Sequence, residues 1–279
     1  MNNIGVVIVN WNTLKYTLEF LEDFKKASSR GDILVIVNNS PEDNVKLNAI
    51  KSPNVKVFNT NKNLGYSGGL NFGLKYLREK TKINWFLVIN NDVQISQDFL
   101  DTFRRQNDEN TIYSPVITNI DKKTVQNTGG KLVLLYGGTI NLNKGKQLDE
   151  IKKIEPDFLS GCCMYFHKSV IDRIGFFDES YESYFEDVDF CFRARRKGIN
   201  LEVLWDLILP HYHSMSTKNI SGYKDYLITR NAIKFAKADL SGIKRYIFVK
   251  LSIIVGFFWV AKRPRNLPFY FRGVKDGLL

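Results

Sequence analysis

The sequence predicts an α/β protein: a Rossmann-like, mostly parallel sheet with flanking helices and a helical C-terminal extension. Three observations predict it. The runs Ile4 to Val9, Ile33 to Val37 and Trp85 to Ile89 are apolar without polar alternation, the pattern of strands covered on both faces. Between them lie stretches with apolar residues at helical spacing. Each strand is followed by a polar, asparagine-rich segment, and open parallel sheets bind ligands beyond the carboxyl ends of their strands.

The elements follow in order. After the first strand, Thr13 is a candidate N-cap for a helix whose stripe is Leu14, Leu18, Leu21 and Phe24. Val55 to Phe58 reads as the next strand after Ile33 to Val37, and Gly69 to Leu77 as a helix leading to Trp85 to Ile89. Right-handed crossovers then lay these strands side by side. From about Ile112 to Phe166 the pattern loosens into short strands with turns at Gly129-Gly130 and Gly137-Gly138. Glu186 to Lys197 reads as a helix, and Leu201 to Leu209 as strand leading to His211. Residues 1–220 are expected to form one domain and residues 221–279 a helical, basic and apolar extension.

Composition narrows the class. With 44% hydrophobic and 25% charged residues in 279, the chain matches an ordinary globular protein and excludes a disordered or polytopic one. A net charge of +11 calls for an anionic partner: nucleic acid, a lipid surface or a phosphorylated substrate. Cys162, Cys163 and Cys191 are odd in number and lack zinc spacing, so they read as reduced core residues of a cytosolic protein. No basic lead or cleavage site precedes the first strand, so no export signal is expected.

Four segments can carry chemistry. Asn90-Asn91-Asp92 ends the most apolar strand, where Asp92 could hold a divalent cation against a diphosphate; the same residues also make ordinary turns. Asn61 to Gly73 places glycines before and inside a helix start, where backbone amides can approach phosphate or sugar oxygens. Tyr184 to Arg193 sets Glu186, Asp187 and Asp189 at the start of a helix. Asp189 pairs with Arg193 four residues on, while Asp187 could accept a proton from an attacking hydroxyl. His211 and His213 are two of only three histidines and are candidate metal or phosphate contacts.

In this order the motifs resemble family 2 glycosyltransferases of the GT-A fold, in particular their bacterial rhamnosyltransferase branch. The resemblance rests on Val7 to Asn12, Val37 to Ser40, Asn63 to Asn71, Asn90 to Asp92, Ser160-Gly161, Ile174 to Glu179, Phe185 to Asp189, and His211 with Ser216. It implies an inverting transfer of a sugar, rhamnose first, from a nucleoside-diphosphate donor to a hydroxyl of a glycan precursor. It further implies that Val9, Asn10, Asn12, Asn38, Asn63, Gly65, Ser67, Gly69, Asn71, Asn90 and Asn91 bind the nucleotide sugar. Asp92 and His211, with His213 in reserve, would hold Mg2+ or Mn2+. Asp187 would be the base, with Glu186 beside it, and Gly161 and Asp178 would face the acceptor. The family carries an acid where this chain has Asn38.

Tyr246 to Ala261 is strongly apolar, yet Lys250 interrupts it and it is short for a membrane span; basic residues flank it. That pattern suits a helix lying on an anionic membrane, which a lipid-linked acceptor at the inner face of the cell membrane would explain. Packing on the catalytic domain or on a second subunit is the alternative. A sugar nucleotidyltransferase is a rival, but Asn10-Trp11-Asn12 lacks the early basic, glycine-rich loop it needs. A nucleic-acid binder is the other rival. Against it, the basic residues gather beside the apolar tail and form no aromatic-basic stripe.

Overall fold

A computed structural model describes residues 2–212 and 222–279. His213, Ser216 and the expected domain boundary at 220 lie outside the described residues. The chain runs β1 (Ile4–Asn10), α1 (Leu14–Ala27), β2 (Ile33–Asn38), α2 (Asn44–Asn48), β3 (Val55–Asn59), α3 (Gly65–Lys80), β4 (Trp85–Ile89) and α4 (Phe99–Arg104). It continues with β5 (Thr111–Thr118), β6 (Val125–Asn127), β7 (Gly130–Val133), β8 (Gly138–Asn141), β9 (Cys163–His167), α5 (Lys168–Ile174), α6 (Glu186–Arg196) and β10 (Asn200–Pro210). Three helices follow: α7 (Tyr223–Asp239), α8 (Gly242–Ala261) and α9 (Leu267–Leu278).

The main sheet has the order β10-β5-β9-β4-β1-β2-β3, with β6 beside β5. β1 runs parallel to β2 and β4, β2 to β3, and β5 to β10. β9 inserts antiparallel between β4 and β5. The apolar strands are covered on both sides as expected: Val7, Val9, Val35 and Val37 face α3, while Val6, Ile8, Leu34 and Ile36 face α1 and α4. The three cysteines are free and buried.

Two features depart from the sequence reading. α3 starts at Gly65, four residues before the expected Gly69, because low helix propensity at the glycines is overridden by packing: Gly69 and Gly73 let the helix sit directly on Val9 and Val7. The irregular stretch resolves into β5, β9 and a separate β7–β8 hairpin. That hairpin rests on α8, where the Ser252 hydroxyl donates to the Gly137 carbonyl at 2.6 Å.

The C-terminal helices pack on one another, with α7 against both α8 and α9. Their outer face keeps Phe258, Trp259 and Phe271 more than half exposed. Among the described residues, no helix is long and apolar enough to cross a membrane.

A Cβ at Gly73 would come within 2.5 Å of Val7 Cγ1 in a filled core. Overpacking costs about 1–3 kcal/mol, partly offset by the better helix propensity of alanine, about 1 kcal/mol. Gly73→Ala is therefore expected to lower the urea midpoint of the chain; an unchanged midpoint would mean that α3 does not press on β1.

Candidate active site

A cleft of about 830 Å³ opens beyond the carboxyl ends of β1, β2 and β4. Of the residues singled out from the sequence, Val9, Asn63, Gly65, Asn90, Asp92, Gly161, Glu186, Asp187 and His211 line it. Asp92, Asp187 and His211, far apart in the chain, thus share one cavity.

His211 reaches Asp92 through backbone pairing. Val93 and His211 form an antiparallel bridge, and the Tyr212 amide donates to the Asp92 carbonyl at 2.9 Å. His211 Nε2 then lies 3.1 Å from Asp92 Oδ1, and Nδ1 lies 2.9 Å from Gln126 Oε1. Gln126 is itself oriented, since its amide group donates to the His211 carbonyl at 2.8 Å and to Asn119 Oδ1 at 2.9 Å. Its oxygen therefore faces a protonated Nδ1, which leaves Nε2 as the atom aimed at Asp92. Burial opposes a charged imidazole here, but the adjoining Cys162 and the Asp92 carboxylate outweigh it and push the His211 pKa up to about 10.

The base candidate sits at the start of α6. The chain approaching it is strained: Glu182, Tyr184 and Phe185 have φ of 62°, 66° and 72°, left-handed values that cost non-glycine residues about 1–3 kcal/mol each. α7 holds that turn. The buried Asn231 amide donates to the carbonyls of Tyr181 (2.9 Å), Ser183 (2.9 Å) and Tyr184 (2.7 Å). Arg230 adds bonds to the Tyr181 carbonyl at 3.1 Å and to Glu182 Oε1 at 2.7 Å. From the other side, the Tyr66 and Ser67 amides at the start of α3 donate to the Glu182 carbonyl, at 2.7 and 3.1 Å. Those two amides, expected to face phosphate, are committed within the protein.

So aimed, Asp187 accepts from the Gly161 amide at 2.8 Å and from the Val188 amide at 2.9 Å. Burial raises its pKa above the usual carboxylate range, against the pull of those amides. Glu186 is 5% exposed, and its Oε2 has no hydrogen-bond partner among the described residues. Burial first, and the Asp187 charge second, hold its pKa well above the ordinary value. Both carboxyls are therefore harder to ionise than an exposed acid, Glu186 the more so. The Asp189 and Arg193 side chains form the expected ion pair at 2.7 Å.

Other predicted residues lie beneath the cleft or beside it. Asn10 donates to Asn38 Oδ1 at 2.8 Å and to Asp43 at 2.9 Å, and accepts from Thr17 at 2.8 Å. Asn38 donates to the Ser40 carbonyl, Asn44 and Asn59 at 2.8–3.0 Å, and Asn91 to Thr13 and Thr17 at 2.7 and 2.6 Å. These amides tie strand ends together instead of lining the cavity. Asn12 is exposed in the adjoining loop, its amide bonded to Ser40 Oγ at 2.7 Å. Ser67 and Gly69 are buried on α3, and Asn71 there holds the Phe177 backbone at 2.8 and 3.0 Å. Asp178 caps the turn Glu179–Tyr181 through the Ser180 amide and lies 3.6 Å from Lys234.

Sequence reasoning missed Trp11, Asn39, Gln126, Tyr184 and Lys224, all of which line the cleft. Asn39 had a signal available. Side chains alternate along a strand, so if Asn38 points down, Asn39 points into the cavity, where it bonds the Gly65 carbonyl at 3.0 Å. Gln126 and Lys224 had none, since both come from segments whose pairing is set only in three dimensions.

The family described as "Glycosyl transferase family 2" matches residues 5–175, more than half of the chain. The low-salt glycan biosynthesis hexosyltransferase Agl10 of Haloferax volcanii is 27% identical over 271 residues, covering 94% of this chain and 85% of that protein. The N-acetylglucosaminyl-diphospho-decaprenol L-rhamnosyltransferase of Mycobacterium tuberculosis is 26% identical over 219 residues, covering 70% of this chain and 71% of that protein. Among solved structures, the mannosyltransferase PcManGT from Pyrobaculum calidifontis, in complex with GDP-Man and Mn2+, superposes with a TM-score of 0.59 at 13% identity. The match covers 99% of this chain and 75% of that one. The fold is thus the GT-A glycosyltransferase fold, a mostly parallel sheet flanked by helices.

Asn231→Ala leaves three carbonyls of the strained turn without their shared donor. A loss of about 1–3 kcal/mol in unfolding free energy is expected, read by equilibrium urea denaturation. A loss below about 0.5 kcal/mol, the scatter of ordinary surface substitutions, would show that the turn stands without it.

Proposed function

The chain belongs to glycosyl transferase family 2, and from that premise we propose that it is an inverting glycosyltransferase acting on a lipid-linked glycan precursor. It would take its sugar from a nucleoside diphosphate donor. The observation that carries this reading is the sharing of one cleft by the Asp92–His211 pair and the amide-held carboxylate of Asp187. Rhamnose is the donor sugar we favour, because one relative is named a rhamnosyltransferase; a hexose is the second choice, after the other.

The donor set suits a cation of the oxygen-preferring kind in part. Asp92 and His211 offer one oxygen and one nitrogen 3.1 Å apart, and among the described residues no group of three or more His, Cys, Asp or Glu could hold a metal ion. Asp92 and His211 would therefore hold Mg2+ or Mn2+ only together with donor phosphate oxygens and water, and only after His211 gives up its Nε2 proton. Bound there, the cation would offset the charge that grows on the departing diphosphate.

The protein's own groups supply the rest. Asp187, made more basic by burial, takes the proton of the acceptor hydroxyl. That oxygen forms a bond to the anomeric carbon on the face opposite the diphosphate, the carbon–phosphate-oxygen bond breaks, and the nucleoside diphosphate leaves. One displacement inverts the anomeric centre. Burial resists ionisation of Glu186 and so disfavours a second negative charge beside Asp187.

The acceptor's lipid would lie in a membrane that α8 and α9 touch. Phe258 and Trp259 are 66% and 56% exposed, and Lys262 sits over the Trp259 ring at 5.4 Å. Aromatic side chains interleaved with cations suit the interface of an anionic bilayer.

Asp187→Asn is expected to cut turnover by about two to four decades, while a fluorescent nucleoside diphosphate still binds; the assay is nucleoside diphosphate release across a panel of donor sugars. Turnover near that of the parent would remove Asp187 from the base role. Replacing Phe258 and Trp259 together by serine is expected to abolish sedimentation with phosphatidylglycerol vesicles. Undiminished sedimentation would place the membrane contact elsewhere or nowhere.

A further inference from the structure

One wall of the cleft is basic and has no part in the reaction described so far. It is made by the loop after β8, with Asn141, Lys144 and Gly145, and by the first turns of α7, with Tyr223, Lys224 and Leu227. Lys224 is partly buried, its ammonium 5.4 Å from the centre of the Tyr184 ring. The neighbouring Asp225 is turned elsewhere, its carboxylate accepting from Arg263 at 3.0 Å and from Asn266 at 2.7 Å. Among the described residues, neither Lys144 nor Lys224 forms an ion pair. Burial, with the positive charge of Lys144, holds the Lys224 pKa below the usual lysine value. An ammonium held partly out of water, on the same cleft wall as another cation whose charge it feels, raises the free energy of the empty cleft, and an anion taken up at that wall would recover it.

We propose that Lys144 and Lys224 form a second anion subsite, which takes the phosphate of a lipid-linked acceptor. The proposal rests on the glycosyltransferase reading. It separates the two phosphate groups of such a reaction: the donor diphosphate goes to Asp92 and His211, at the ends of β4 and β10, and the acceptor phosphate to the lysine wall. Geometry favours a lipid-borne phosphate. The exposed Ile228 and the buried Leu227 continue the wall with apolar surface. Both elements that carry the lysines rest on α8, the hairpin through Ser252 and Gly137, α7 by direct packing. An isoprenoid chain leaving the subsite would therefore run toward the helix that exposes Phe258 and Trp259.

The test uses the full chain and farnesyl diphosphate, with farnesol as its phosphate-free counterpart, in metal-free buffer. The parent protein is expected to bind the diphosphate at least about tenfold more tightly than farnesol, as two charge-assisted contacts permit. Lys144→Ala and Lys224→Ala should each reduce that preference, and the double variant should bring the ratio to within about twofold, with farnesol binding unchanged as evidence of an intact fold. Binding of UDP, dTDP and GDP with Mn2+ should be the same in all four proteins. A preference that survives in the double variant overturns the subsite. So does an equal loss of nucleoside diphosphate binding, which would assign the lysines to the donor. Absence of nucleotide-sugar hydrolysis by the parent protein would instead overturn the transfer reading, and that assay does not involve the lysines.

Discussion

The geometry of the cleft depends on the hold that α7 keeps on the turn before α6. Three left-handed non-glycine residues within four positions would relax in isolation, because an L side chain crowds its own backbone there. They persist because Asn231, buried in α7, shares its two N–H bonds among three carbonyls of the turn, and the start of α3 grips the Glu182 carbonyl from the opposite side. The direction in which Asp187 leaves the helix start is thereby set from two sides. A carboxylate held by two backbone amides has little freedom left to lose when a hydroxyl arrives, and this is the sense in which the site is preorganised.

Beneath the cavity, the ends of β1, β2 and β3 are joined by side-chain amides. An asparagine can donate and accept at once, so Asn10, Asn38 and Asn59 connect three strand ends through uncharged side chains. Carboxylates at the same places would each need a buried cation to balance them. Asp92, Asp187 and His211 stand above this layer of amides and face the cavity.

The strand skeleton was legible because its physics is local. Uninterrupted apolar runs can satisfy both faces only in a covered parallel sheet, and β1, β2 and β4 lie where Ile4, Ile33 and Trp85 begin them. That Asp92 and His211 would stand at the cleft was legible as well, since each follows a strand end, whereas Asp187, which lines the same cleft, stood out as an acid in the first turn of a helix. The polar residues between them were harder. Asn10, Asn38 and Asn91 look from the sequence like ligand contacts, yet they point into the layer below, because whether a side chain faces up or down depends on where the strand ends, and an error of one residue reverses it. Gln126, which orients His211, comes from a three-residue strand in a stretch with no readable period. The early start of α3 was hidden by glycines that look like loop residues until β1 is placed against them.

The order of the parts along the chain has a temporal consequence. Asp92, Gln126 and His211 are all in place once β10 has formed, whereas Asn231, which steadies the turn before Asp187, lies beyond position 222, and translation delivers it later. A polypeptide still emerging from the ribosome would have Asp92 and His211 assembled before the Asp187 carboxylate was fixed. On the proposed function, a nascent chain would be able to hold an activated sugar before it could spend it, and competence would arrive with α7.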